Sequence, residues 1–328
     1  MVKTILVTGG AGYMGYSLIE ELGRKYPECK IVIYDNFSKG RVEGLVSLRE
    51  RVEVEVVPWE KGDIRDCDNF REVVEKYKPE VVVHLAAIVD AFTTNREGKD
   101  RECEIVNHEG AVNVARIAKE NGVKDFICIS TVSIYSRGEE LTEEAEKNPL
   151  STYGKAKLKA ETEILQMSDD YFRVVVLRPA TLVGYNPCFR YETIINLMCI
   201  RSVYKIPINL FASAITGNKT YLHVRDCARA IVFSLENIDR MKQDYFNMTS
   251  FHTNLDVVMR LLKELVGEEF PYHVIDEKNI NQQVYTINSD KIKRLGFRAE
   301  ESVERTIEFA VRGLKKRREE ERGKENGS

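Results

Sequence analysis

Thr4-Ile-Leu-Val-Thr-Gly-Gly-Ala-Gly-Tyr-Met-Gly15 decides how this chain folds. An apolar run, Ile5 to Val7, leads into a glycine-rich turn, and the turn opens a helical stretch, Tyr16 to Arg24. The glycines fall at Gly9, Gly12 and Gly15, a G-x-x-G-x-x-G spacing. Gly9 permits the tight turn out of a strand, Gly12 lets the backbone come close to a pyrophosphate, and Gly15 lets the first helix lie against the sheet. Free N–H groups at the helix start then face the phosphates, with the positive end of the helix dipole behind them. A strand before the glycines and a helix after them is the context in which such a motif binds a dinucleotide.

The second half of that fingerprint follows. Lys30-Ile-Val-Ile-Tyr-Asp35 reads as the next strand, with Asp35 at its C-terminal end. It stands about 20 residues past the glycine turn, where an acid binds a ribose 2′-hydroxyl. An acid there repels a 2′-phosphate, so the expected cofactor is NAD rather than NADP, although Lys39 and Arg41 follow closely.

Strand-like runs alternate with amphipathic helical ones through the first half: Val52–Val57, Val81–Leu85, Phe126–Ser130 and Val174–Arg178, with Cys67–Tyr77, His108–Asn121 and Tyr153–Met167 between them. Alternation of this kind predicts an α/β fold, a Rossmann-type doubly wound parallel sheet with helices on both faces. Lys78-Pro79-Glu80 stops one helix before a buried strand, and Gly122 suits a helix C-terminus. After Arg178-Pro179 the rhythm changes, and Tyr, Asn and Pro scatter from Tyr185 to Tyr221. The expected division is a cofactor-binding domain over 1–178, with 221–236 returning to its sheet. A smaller α/β substrate-binding part spans 179–314, and a charged, disordered tail spans 315–328.

With 328 residues the chain can build one large or two medium domains. A net charge of −3 gives no basic field for nucleic acid or an anionic membrane. No apolar run approaches the roughly 20 residues needed to cross a bilayer. Met1 leads straight into a strand, so no signal peptide is expected. Seven cysteines are scattered with no C-x-x-C pair, which predicts reduced thiols, no zinc and a cytoplasmic location.

Tyr153-Gly-Lys-Ala-Lys157 puts Tyr153 and Lys157 four residues apart, on one helix face. A cationic amine near a phenol stabilises the phenolate and lowers its pKa from about 10, which makes Tyr153 usable as a general base. This pair joins several other motifs: the glycine turn; Asp35-Asn-Phe-Ser-Lys-Gly-Arg41; Gly62-Asp-Ile-Arg-Asp66; His84-Leu-Ala-Ala87; Thr131 four residues before Tyr135; Arg178-Pro179; Tyr221-Leu-His-Val-x-Asp226; and Asn288 to Phe297. Together they resemble the extended short-chain dehydrogenase/reductase family, in its NAD-dependent sugar-nucleotide epimerase/dehydratase branch, from Met1 to about Ala310.

The resemblance implies roles. Tyr153 takes the proton of a sugar hydroxyl, Thr131 hydrogen-bonds the same oxygen, and Lys157 lowers the phenol pKa and holds the nicotinamide ribose. The NAD set is Gly9, Gly12, Tyr13, Met14, Gly15, Asp35, Asn36, Ser38, Asp63, Ile64, Leu85, Ala86, Ala87 and Asn107, with Tyr153 and Lys157. Thr131, Thr181, Arg190 and Lys219 face a nucleotide-sugar substrate, and no metal is expected. Val132 and Ser133 stand where sugar dehydratases carry Asp-Glu after the catalytic Thr, which points to an epimerase. A net oxidoreductase on a carbonyl or alcohol is the alternative. Lys219 replaces an Arg usual in epimerases that hold a UDP group, a second Arg is missing near Lys278–Asn281, and Ser136 replaces a Gly. The resemblance also implies a homodimer, formed through His108–Asn121 and Tyr153–Met167.

Overall fold

The computed structural model describes residues 2–49, 51–58, 61–89, 99–135, 138–267, 271–275 and 286–325. Ser136 and Lys278–Asn281 lie outside them. In chain order the strands are β1 (Thr4–Thr8), β2 (Lys30–Tyr34), β3 (Val54–Val56), β4 (Val81–His84), β5 (Asp125–Ile129), β6 (Glu140–Leu141) and β7 (Arg173–Pro179). They continue with β8 (Thr181–Val183), β9 (Ile208–Phe211), β10 (Lys219–His223), β11 (Asp244–Met248), β12 (Phe251–Thr253), β13 (Tyr272–Ile275) and β14 (Thr286–Ile287).

Seven of these form one sheet, ordered β11-β7-β5-β4-β1-β2-β3, with each neighbouring pair parallel. Strand alternation sends side chains to opposite faces. Ile5, Val7, Ile33, Val83, Ile127 and Leu177 therefore pack under helices Tyr13–Lys25 and Val224–Glu236. Leu6, Val32, Val82, Phe126, Val174 and Val176 pack under Cys67–Tyr77, Ala111–Glu120 and Thr152–Gln166. This is the doubly wound arrangement. Asp66 caps the first of these last three helices, accepting from Asn69 N at 3.0 Å, and Gly122, at φ +77°, turns the chain out of the second.

The other half has its own core. Val183, Phe189, Ile195, Met198, Leu255, Leu262, Ile307 and Leu314 come together around the sheet β12-β10-β8 and helices Ile194–Tyr204, Leu255–Val266 and Val303–Glu325. Two expectations are corrected here. Strand Tyr221–His223 pairs with β8 and β12, so only the helix after it returns to the main sheet. The sheet's edge is instead β11, whose polar ends hide it in the sequence. The tail does not fray at Lys315: the helix continues to Glu325. Lys315 reaches the Leu265 carbonyl at 2.9 Å, Arg318 reaches the Val203 carbonyl, and Arg317 pairs with Glu321 one turn on. Charged residues lengthen a helix when each finds a partner across its face.

Among the described residues no helix is long and apolar enough to cross a membrane, and every cysteine is a free thiol.

Candidate active site

The glycine turn connects β1 to its helix by backbone alone. Gly9 sits at φ +69°, and a Cβ there would lie 2.7 Å from Ala86 N. A Cβ on Gly15 would overlap the Gly10 carbonyl, so this glycine lets the helix close on its own turn as well as on the sheet. Helix Tyr13–Lys25 starts at Gly12 with no side-chain cap and no acid in its first turn. Its leading N–H groups are therefore left for an anion.

The acid after β2 is fixed. Asp35 accepts from Ala11 N at 2.9 Å and from Phe37 N at 2.7 Å, so its carboxylate ties the second strand to the glycine turn. Burial raises its pKa, and those two N–H bonds oppose the rise. Asn36 donates to Asp63 at 3.0 Å and accepts from Ser38 N at 3.1 Å. Arg65 grips Asp63 at 2.9 and 2.6 Å, and those bonds hold the Asp63 carboxyl down to about 2. Together with Gly9, Gly12, Tyr13, Met14, Ile64, Leu85, Ala86 and Ala87, these residues line a cleft of about 510 Å³. Lys39, Arg41 and Arg190 also line it. An uncapped helix start at one end and a fixed carboxylate beside Asn36 and Asp63 at the other fit a dinucleotide.

Four members of the expected cofactor set, Gly15, Asn107, Tyr153 and Lys157, stand outside that lining. Gly15 is buried in the helix. Asn107 is fully buried and uses both ends of its amide on Ile88, donating to its carbonyl at 2.8 Å and accepting from its N–H at 2.9 Å. It clamps the segment after β4 rather than lining the cleft. His84 beneath it bonds Thr8 Oγ1 through Nδ1 at 2.8 Å, and its Nε2 has no partner. Burial and the Lys157 charge push this imidazole down to about 3, so it is neutral.

Thr131 stands just after β5 and caps the short turn Val132–Ile134, and Tyr153 and Lys157 lie on Thr152–Gln166, a helix capped by Ser151 accepting from Gly154 N at 3.0 Å. All three are buried. Thr131 Oγ1 donates to Ser133 Oγ at 3.2 Å and accepts from Ser133 N at 3.1 Å. The Tyr153 phenol is pushed up to about 12 by burial, with the Thr131 hydroxyl and the Arg190 cation pulling it down. This departs from the expected electrostatics, because Lys157 is not among the groups acting on the phenol. Its ammonium is held below its ordinary value by burial, with Cys128, Glu161 and Cys103 opposing the fall.

The substrate candidates separate. Arg190 reaches the site from the loop after β8, lining the cleft and acting on Tyr153. Thr181 and Lys219 lie in the smaller sheet, outside that cleft lining, and burial lowers the Lys219 pKa.

Sequence reasoning missed the residue that sets this loop. Asn196, fully buried, accepts from Gly184 N at 3.0 Å and donates to the Arg190 carbonyl at 2.9 Å and to Tyr13 Oη at 3.4 Å. A lone amide within Ile194-Ile-Asn-Leu-Met198 was its signal. Tyr13 Oη donates in turn to the Gly184 carbonyl at 2.5 Å, joining the glycine turn to the loop after β8.

A sequence profile described as the NAD dependent epimerase/dehydratase family matches residues 5–248. A UDP-glucose 4-epimerase from Rhizobium leguminosarum bv. trifolii is 26% identical over 317 residues, covering 89% of this chain and 90% of that one. A dTDP-D-glucose 4,6-dehydratase from Mus musculus is 26% identical, covering 94% of this chain and 88% of the other. The crystal structure of a Thermotoga maritima UDP-glucose 4-epimerase with UDP-glucose superposes with a TM-score of 0.83 at 23% identity, over 96% of this chain and 99% of that one, and so shares the fold.

Proposed function

The chain belongs to the NAD-dependent epimerase/dehydratase family, the sugar-nucleotide branch of the extended short-chain dehydrogenases/reductases, and from that premise we propose that it is a nucleotide-sugar epimerase. NAD is the family's cofactor. Bound in the cleft, it would supply reversible hydride chemistry at a sugar carbon. The residues that would hold it are the backbone of Gly12 to Met14 at the pyrophosphate, Asp35 and Asn36 at the ribose, and Asp63 and Ile64 at the adenine.

This chain's own residues handle the proton. Tyr153 Oη takes it from the sugar hydroxyl and gives it back after the keto-sugar has turned. Thr131 Oγ1 hydrogen-bonds the same oxygen, and Ser133 fixes the rotamer of Thr131. Arg190 stabilises the phenolate, and Lys157 holds the nicotinamide ribose.

One observation carries the choice between epimerase and dehydratase. In the turn after Thr131 stand Val132, which is buried, and Ser133, whose hydroxyl is bonded to Thr131 Oγ1, and neither is an acid. Eliminating water needs an acid and a base on neighbouring carbons, whereas epimerisation needs only one group to move one proton. The relatives include both activities. The test is a panel of UDP-, dTDP-, GDP- and CDP-sugars with a trace of NAD, read by proton NMR. An isomer in large excess over NAD is the expected product. A 4-keto-6-deoxy sugar would make the protein a dehydratase, and stoichiometric NADH would favour the net oxidoreductase.

The homodimer through the helices around 108–121 and 153–167 belongs to the same proposal, as does a cytoplasmic location. Val112 and Leu165 pack against the protein's own core and Leu158 against a small cluster with Ile134 and Leu141, which leaves a dimer to form largely through polar surface. Sedimentation velocity decides it.

A further inference from the structure

On helix Val303–Glu325, Phe309, Gly313 and Arg317 stand four residues apart and so share a face. That face meets the loop after β8. Phe309 lies edge-on to the Tyr185 ring at 6.3 Å, and a Cβ on Gly313 would overlap the same ring. Tyr185 packs on Phe189 at 5.3 Å, and Phe189 meets Tyr191 edge-on at 5.5 Å. One turn beyond Gly313, Arg317 Nη1 donates to Tyr191 Oη at 2.9 Å, while its Nε donates to Glu321 at 3.0 Å. The charged end of the helix therefore fixes the hydroxyl end of Tyr191.

The ring of Tyr191 has a second partner, from the cofactor half. The Arg41 guanidinium lies over it, 5.2 Å from the ring centre. The Arg41 backbone is tied to the glycine turn, its N–H donating to the Ala11 carbonyl at 3.1 Å. Arg41 and Tyr191 both line the cleft, one from the segment after β2 and the other from the loop after β8. Their contact joins two walls of that cleft. It is made by side chains alone, and both residues are only partly buried, so it can part without disturbing either sheet.

We propose that Arg41 and Tyr191 form a clasp that retains NAD in the cleft, and that Arg317 is the positioning residue that keeps Tyr191 in it. The inference rests on NAD being the family's cofactor and not on which sugar reaction the site performs. A Tyr191 ring freed of Arg317 still packs on Phe189, but its outer end is no longer fixed and Arg41 loses a steady face.

The test follows release of NADH from the full chain, by stopped-flow fluorescence, when the NADH complex is chased with excess NAD. Arg317→Met keeps the aliphatic stem and removes the donor. It is expected to speed release about threefold or more, with the melting temperature nearly unchanged. Tyr191→Phe keeps the ring under Arg41 and removes the acceptor. It is expected to match Arg317→Met, and the two together are expected to do no more than either. Arg41→Met opens the clasp from the other wall, and adding Arg317→Met to it is expected to change release no further. A residue that merely stabilised the helix would lower the melting temperature and leave release as it was. That result, or accelerations that multiply in Arg41→Met/Arg317→Met, would overturn the proposal. Failure of every nucleotide sugar to turn over would sink the epimerase reading alone, since NADH release needs no sugar.

Discussion

The two halves of the molecule hold their functional groups in different ways. In the cofactor half, backbone does most of the positioning: the glycine turn, the uncapped helix start, and a carboxylate whose oxygens are occupied by two main-chain N–H groups. In the other half, proposed to bind substrate, side chains on a separate apolar core do it. Arg190 is set by one amide, Asn196, and Lys219 lies desolvated in a three-stranded sheet. Backbone positioning tolerates no added atom, whereas side-chain positioning can be retuned one residue at a time. On the proposed function, the half that would hold NAD is therefore rigidly specified, and the half that would select among sugars is open to change.

The largest effect is expected where the halves meet. Tyr153→Phe should reduce turnover by about 10²- to 10⁴-fold. NAD binding, measured by calorimetry, should be retained. Activity near that of the parent protein would remove the phenol from the chemistry and with it the meeting point.

Next comes a matched pair, one change in each half. Gly15→Ala forces a Cβ onto the Gly10 carbonyl and is expected to lose about 1–3 kcal/mol of stability, read by urea denaturation, together with NAD binding. Lys219→Gln should leave both intact and raise KM for the nucleotide sugar about tenfold, the value of one charge-assisted hydrogen bond of roughly 1.5 kcal/mol. Equal loss of NAD affinity in the two variants would break the division.

How legible each half was in the sequence follows the same division. A glycine triplet after a strand, and an acid at the end of the next, are read from neighbours in the chain. Accordingly, Gly9, Gly12, Asp35, Asp63 and Ala86 fall on the cleft. The shared helix of Tyr153 and Lys157 and the place of Thr131 just after a strand were legible because helical spacing and a strand end are local facts. What was hidden depends on distant pairing. Asp244-Tyr-Phe-Asn-Met248 has no apolar run, yet it is a strand because β7 offers it an edge. Asn107 carries a motif position but reaches back to Ile88 instead of forward to a ligand. The approach of Arg190 to Tyr153 depends on a loop whose shape no periodicity encodes. The charged tail misled because its partners, Val203, Tyr204 and Leu265, come from other helices.

The smallest effect near neutrality concerns two buried imidazoles, one in each half. Burial depresses His84 to about 3 and His223 to about 4. Unfolded histidines titrate near 6.5, so below that pH the unfolded chain binds more protons than the folded one. Their contribution is fully present above about pH 6.5 and is lost as pH falls toward those folded values. Between about pH 7 and pH 6 the loss is under about 1 kcal/mol per histidine. His84→Asn should flatten the acid limb of a melting-temperature profile, and an unaltered limb would show that other groups set it.

The strand β11 has a consequence in time. It completes the cofactor sheet beside β7, yet β8, β9 and β10 of the substrate half are translated between the two. At roughly 5–20 residues per second, β7 leaves the ribosome seconds before its partner. During that interval the growing sheet has an unpaired edge, the kind of template to which other chains stick. The nascent protein is therefore most exposed to aggregation, and most in need of a chaperone, while the substrate half is being made.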